Sequence, residues 1–122
     1  MNSNPDTRQI SEEFSKGNFE FAYKYLAQDI QWSIVGDELL IGKDQVIEFC
    51  NKTAEYFKEV TTEFRTSNII VDSNLVAING TAVFIKKENK RTEVSSCDVY
   101  RFEGGKLKEI TSYCIVIGKD EE

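Results

Sequence analysis

The run of residues after Val60 constrains this chain more than any other feature. Four stretches rich in β-branched and aromatic residues, TTEFRTSNIIV, LVAINGTAVFIKK, RTEVSSCDVYRF and KLKEITSYCIVI, follow one another with only DSN, EN and EGG between them. Such side chains suit a pleated, half-buried surface, and connections this short join antiparallel neighbours. The segment therefore reads as a four-stranded antiparallel meander. A sheet of this kind has an apolar face that needs cover, and the preceding half of the chain must supply it.

That half reads as helix, helix, strand and long helix. Pro5 and Asp6 suit the opening of a first helix, which carries Ile10 and Phe14 and stops at Gly17-Asn18. FEFAYKYLAQD sets Phe19, Ala22, Tyr23 and Leu26 at i, i+3, i+4 and i+7, the spacing of a second short amphipathic helix. IQWSIVGD alternates, with Trp32 and Ile34 on one face ahead of a Gly36-Asp37 turn, and reads as a strand. Gly42 is placed to N-cap the third and longest helix, in which Val46, Cys50, Ala54 and Phe57 form one stripe flanked by Ile47, Phe49 and Tyr56. Within the meander Asn79-Gly80 is ambiguous, because Asn-Gly between apolar runs is a strong hairpin signal. A hairpin there would leave two very short strands, so we read a bulge or kink in one long, strongly curved strand.

A chain of 122 residues is expected to form one domain, 1–122. Twenty-one acidic against fifteen basic residues leave a net charge of −6, which argues against nucleic acid and anionic membrane surfaces as partners. MNSNPDTRQI has no apolar signal core and no run approaches the roughly 18 apolar residues of a membrane span, so a cytoplasmic protein is expected. On that expectation the NKT and NGT sequons carry no meaning. Cys50, Cys97 and Cys114 are an odd number without short spacing, which suggests reduced core thiols rather than disulfides or a metal site. There is no histidine, so the commonest general base and metal ligand is missing. The basic cluster KKENKR and the terminal KDEE read as solvated charge at a hairpin tip and a tail.

Alternation puts Asp98, Tyr100 and Phe102 on one face of their strand, and the aromatic pair marks that face as buried. A carboxylate at the head of this row is either an acid in a pocket, its pKa raised by desolvation, or a structural acceptor held by a backbone amide, Tyr23 or Tyr56. Trp32 and Tyr100 can be core packing in either case. Alternation also points Ala82, Phe84, Cys97, Val99, Tyr113 and Ile115 away from the helices. Such a row sits poorly in water, and a second copy of the chain, making a two-fold contact, is its expected cover.

The order of elements resembles the nuclear transport factor 2-like (NTF2-like) superfamily, whose members include ketosteroid isomerases, polyketide cyclases of the SnoaL type, scytalone dehydratase and limonene epoxide hydrolase. FSKGNFEFAYKYLAQDIQW is similar to the superfamily's helix, Gly-Asp, helix and strand; GKDQVIEF is similar to its G...I..F; DVYRFEGGKLKEITSY is similar to its ending. The resemblance covers nearly the whole chain. It implies an α+β, cone-shaped fold, with three N-terminal helices packed on a strongly curved, mostly antiparallel sheet and a ligand pocket at the open end. It further implies a pocket wall of Trp32, Ile34, Phe49, Asp98, Tyr100, Ile110, Ser112 and Cys114. It also supports the homodimer, because many relatives pair through the outer sheet face.

CDVYRF is most similar to the ketosteroid isomerases, in which an Asp just before an F-R-F strand end is the protonated acid of the oxyanion hole; on that resemblance Asp98 is the candidate catalytic acid. The isomerases' oxyanion tyrosine falls at Ile10 and their base carboxylate at Ile34, so no agent remains to abstract a proton beside a carbonyl. The dehydratase histidines are absent, the epoxide hydrolase's arginine and two aspartates leave only Asp98 as a clear inward acid, and the last-strand acid of several cyclases falls at about Ser112. The resemblance thus implies a SnoaL-like domain that binds a small apolar organic ligand in a pocket with one acid, without cofactor or metal. The alternative is an enzyme of isomerase, cyclase or hydrolase type using Asp98 as acid or hydrogen-bond donor. A protein-interaction module, the third class, would need an exposed apolar patch left over after dimerisation.

Overall fold

The structure, a computed structural model, describes residues 6–120. Pro5 of the expected helix opening and the last two acidic residues of KDEE lie outside the described residues. Asp6 caps α1 (Thr7–Ser15) by accepting a hydrogen bond from the Gln9 amide at 2.8 Å, and Ile10 and Phe14 are buried beneath the helix. Gly17 leaves α1 at φ +90°, a left-handed conformation suited to glycine, and a Cβ there would stand 3.0 Å from the Phe57 ring.

Two elements differ from the sequence pattern. Phe19–Tyr25 is a 3-10 helix rather than an α-helix, and Leu26 already begins β1 (Leu26–Ile34). Three residues per turn stack the buried Phe19 and Ala22, while pairing with Leu107 draws Leu26 into the sheet. After the Gly36-Asp37 turn, Glu38–Ile41 forms β2, a four-residue strand antiparallel to β1 that no alternating run announces. α2 (Lys43–Glu59) starts after Gly42 and buries Val46 and Cys50, with Ala54 and Phe57 partly buried on the same stripe.

The meander follows as β3 (Thr61–Asp72), β4 (Leu75–Ile85), β5 (Arg91–Glu103) and β6 (Lys106–Lys119). The sheet order is β2-β1-β6-β5-β4-β3, antiparallel throughout except for the parallel β1–β6 pair. The helices cover one face of this curled sheet, which gives the α+β cone that the resemblance implies. Among the described residues no helix is long and apolar enough to cross a membrane.

Asn79-Gly80 lies inside β4, so no hairpin forms there. The extra residue sits in β3 instead: Thr66 faces Gly80 and Asn68 faces Asn79, which leaves Ser67 unpaired. β3 crosses so closely that a Cβ on Gly80 would lie 2.2 Å from the Arg65 carbonyl oxygen. With no insertion in β4, its alternation runs unbroken from the buried Val76 and Ile78 to Ala82 and Phe84. Ala82 and Phe84 therefore face the helices, against the outward placement expected from sequence. Phe84 stacks on Phe57 with ring centroids 5.9 Å apart and also meets Tyr56 and Phe64. The outer face keeps Cys97, Val99, Tyr113 and Ile115 and gains Leu39 and Ile41 of β2. Of the three thiols only Cys50 is a core residue; Cys97 is half-buried and Cys114 is exposed.

Candidate functional site

Cross-strand rows on the inner face of the sheet build the site. One row runs Leu40, Trp32, Ile110, Tyr100 and Val76 across β2, β1, β6, β5 and β4. The next runs Ile34, Ser112, Asp98 and Ile78, and brings the carboxylate into line with an apolar neighbour on either side of the Ser112 pair. The row after that is small, Cys114, Ser96 and Gly80, and leaves space beside Asp98. Between this part of the sheet and the end of α1 and one side of α2 opens a cavity of about 220 Å³. A separate, water-sized niche of about 30 Å³ also touches Asp98, with Lys16, Arg65 and Ser96 among its walls.

Of the residues expected on a pocket wall, Trp32, Ile34, Phe49, Asp98, Tyr100, Ser112 and Cys114 line the larger cavity. Ile110 does not. Flanked in its row by the larger Trp32 and Tyr100, it is 1% exposed and packed into the core, so its place on the wall is corrected to a place in the core. Ile10, where the isomerases' tyrosine would stand, is core as well. The structure adds Phe14, Ser15, Phe19, Thr53, Phe57 and Phe64 to the wall. The sequence held a signal for Phe14, Phe19 and Phe57, since helix stripes facing a sheet must be apolar, but none for Ser15.

Ser15, the last residue of α1, reaches across to β5. Its hydroxyl donates to Asp98 Oδ2 at 3.0 Å and also shares a hydrogen bond with the Tyr100 hydroxyl. From the other side, Trp32 Nε1 donates to Ser112 Oγ at 2.9 Å. An indole N–H can only donate, so Ser112 Oγ accepts there and its own proton is free for Asp98, to which it is hydrogen-bonded. Likewise, when Ser15 donates to Asp98 it accepts from Tyr100. Two relays, Trp32 to Ser112 and Tyr100 to Ser15, thus end as donors on one carboxylate. Tyr23 and Tyr56 take no part: the Tyr23 hydroxyl donates to Asn51 at 2.8 Å, and Tyr56 packs against Phe57 and Phe84.

Burial and the donors pull the Asp98 carboxyl in opposite directions. Desolvation raises its pKa, the hydrogen bonds from Ser112, Ser15 and Tyr100 lower it, and the net shift is upward. The Tyr100 hydroxyl is held well above the ordinary phenol range, by burial first and by the Asp98 charge second. Cys114, exposed as a residue, is desolvated where it lines the cavity, which raises its thiol, with Asp98 adding to the effect. Among the described residues no Lys or Arg lines the cavity, and no group of three or more His, Cys, Asp or Glu could hold a metal ion.

The family described as the SnoaL-like domain matches residues 7–110 of the chain. Among solved structures, an NTF2-like protein of unknown function from Cytophaga hutchinsonii is 38% identical, with a TM-score of 0.81 over 88% of this chain and 94% of that one. An LEH-like epoxide hydrolase of M. tuberculosis is 18% identical, with a TM-score of 0.69 over 89% of this chain and 82% of that one. A Mesorhizobium loti protein described as a SnoaL-like polyketide cyclase is 18% identical, with a TM-score of 0.68 over 88% of this chain and 94% of that one. The last two show likeness of fold alone. No curated protein matches the chain in sequence.

Proposed function

Because the chain belongs to the SnoaL-like domain family, we propose that it binds a small, largely apolar organic molecule in the cavity beside Asp98, whose carboxyl group anchors the ligand's polar end. The observation that carries this reading is the contrast within the cavity wall. Half of the lining side chains are aromatic, and Asp98 is the one carboxylate among them. Concave, mostly apolar sites with a few convergent polar groups are where small molecules are held and oriented.

The alternative, an enzyme using Asp98 as an acid, is supported by the upward shift of that carboxyl and by the hydrolase and cyclase among the fold's neighbours. Acid–base turnover needs a second group poised near neutrality. The other titratable groups on the wall, Tyr100 and Cys114, are both pushed further from neutrality by burial. This favours binding over catalysis.

Trp32 is the only tryptophan in the chain and stands on the cavity wall, so its emission reports occupancy. Titration with a panel of small cyclic ketones, alcohols, amines and hydrocarbons should give a saturable change in Trp32 fluorescence for at least one compound, with a raised Tm. A panel that leaves both unchanged would remove the reading.

A second copy of the chain is proposed as the cover of the outer face. Leu39, Ile41, Tyr113 and Ile115 are each about half exposed there, more apolar surface than an isolated sheet face carries comfortably.

A further inference from the structure

The charge arrangement around Asp98 narrows the class of ligand. A carboxylate in an apolar wall is costly unless a positive charge or donors compensate it. Here the donors are hydroxyls, and the relay through Ser112 runs one way only, because Trp32 Nε1 cannot accept. The site is thus built to receive hydrogen bonds at Asp98, but it holds no cation of its own: among the described residues the cavity wall has no Lys or Arg. The rest of the wall is largely aromatic, with Phe14 edge-on to Trp32 at 5.1 Å and Trp32 edge-on to Phe49 at 5.3 Å. A cation over the face of such a ring is attracted by the ring quadrupole, and the same rings pack an apolar body.

Resting on the proposal that this cavity binds a small molecule, we propose that its ligand is an organic cation, an amine or quaternary ammonium with an apolar body, seated with its charge against Asp98 and its body among the rings. A neutral ligand would leave the carboxylate without a counter-ion. An anionic one would meet Asp98 with like charge. The chain's net charge of −6 adds long-range attraction of the same sign.

The groups that face Asp98 bear on the pH dependence. From α1 come Ser15 and Lys16, from β3 Arg65, from β5 Tyr100 and from β6 Ser112 and Cys114. Lys16 and Arg65 line the separate niche, and Lys16 is engaged with Glu13 at 3.6 Å. Neither is among the causes of the Asp98 shift. Asp98 is therefore the group whose ionisation a ligand's charge senses, and a cation should bind more tightly as pH rises through the Asp98 midpoint.

The test uses benzyltrimethylammonium and its uncharged carbon isostere neopentylbenzene, titrated against Trp32 fluorescence at a series of pH values, with the parent and with Asp98→Asn. The cation should bind about tenfold or more tighter than the isostere above the Asp98 midpoint, and Asp98→Asn should erase that preference. Equal binding, or tighter binding of neopentylbenzene, overturns the cation assignment while leaving the cavity as a ligand site. Failure of both probes to perturb Trp32 also overturns the assignment, and the neutral members of the broader panel then decide separately whether the cavity binds anything.

Discussion

Ser112→Ala strikes the point where the core and the candidate site share a hydroxyl. Ser112 is 3% exposed, accepts from Trp32 Nε1 at 2.9 Å and is hydrogen-bonded to Asp98. Without Ser112 the indole N–H loses the one hydrogen-bond acceptor it has among the described residues, at a cost of about 1–3 kcal/mol, toward the lower end where a water from the adjoining cavity takes its place. The ionised carboxylate loses a donor as well, which costs about 1.5–3 kcal/mol more. The two losses share one atom and need not add in full, so we expect a total of roughly 2–5 kcal/mol when Asp98 is ionised. Below the Asp98 midpoint the carboxyl is neutral, so the loss there shrinks to that of an ordinary hydrogen bond, about 0.5–1.5 kcal/mol, beside the Trp32 loss of about 1–3 kcal/mol. Urea unfolding followed by Trp32 emission measures this. With m of about 2 kcal/mol/M, the midpoint should fall by about 1–2.5 M above the Asp98 midpoint and by less at low pH. An unchanged midpoint at both pH values, or a larger loss at low pH, would refute the relay through Ser112.

Asp98→Asn tests the direction of the carboxyl shift. In the unfolded chain this acid titrates at about 3.9, and burial raises its folded value. Between those two values the folded state binds more protons than the unfolded state, so the parent loses stability with rising pH while the variant does not. Denaturation midpoints that diverge the other way would mean a depressed carboxyl and a purely structural Asp98. Gly80→Ala should cost about 1–3 kcal/mol, since its Cβ would meet the Arg65 carbonyl oxygen at 2.2 Å and must displace backbone; a Tm equal to the parent's would show that the strand crossing is looser than described. Ile115→Lys, on the outer face, should convert a dimer into a monomer with the fold intact, whereas Phe84→Lys should unfold the protein by driving an amine between Phe57 and Phe64. A parent chain that sediments as a monomer at micromolar concentration would remove the proposed outer-face contact.

What the sequence makes legible here follows from range and redundancy. The meander and α2 are each signalled over more than ten residues, so single ambiguities do not disturb them. β2 has four residues, Glu38–Ile41, too few for alternation to register. Phe19–Tyr25 carries an i, i+3 spacing that a three-residue turn satisfies as well as a longer one, and only the pairing of Leu26 with Leu107 decides between them. The face of Phe84 depends on which partner holds the extra residue. Asn79-Gly80 marks the irregularity in β4, while Ser67 in β3 contains it. Ser15 was illegible for a different reason: a serine ending a helix looks like a surface residue, and its partner Asp98 lies 83 residues away. Asp98 itself could be picked out because a carboxylate heading a row with Tyr100 and Phe102 conflicts with its surroundings, and such conflicts concentrate at sites.

An organic molecule held in the cavity against Asp98 changes the surroundings of that carboxyl. Its most direct reporter is the Asp98 side-chain carboxyl carbon, followed by NMR through a pH titration in the free protein and with benzyltrimethylammonium bound. The midpoint should lie above the ordinary aspartate value in the free protein and fall once the cation is seated. An Asp98 midpoint that stays the same with every compound that alters Trp32 emission would contradict this placement, because the ligand would then be bound somewhere other than against this acid.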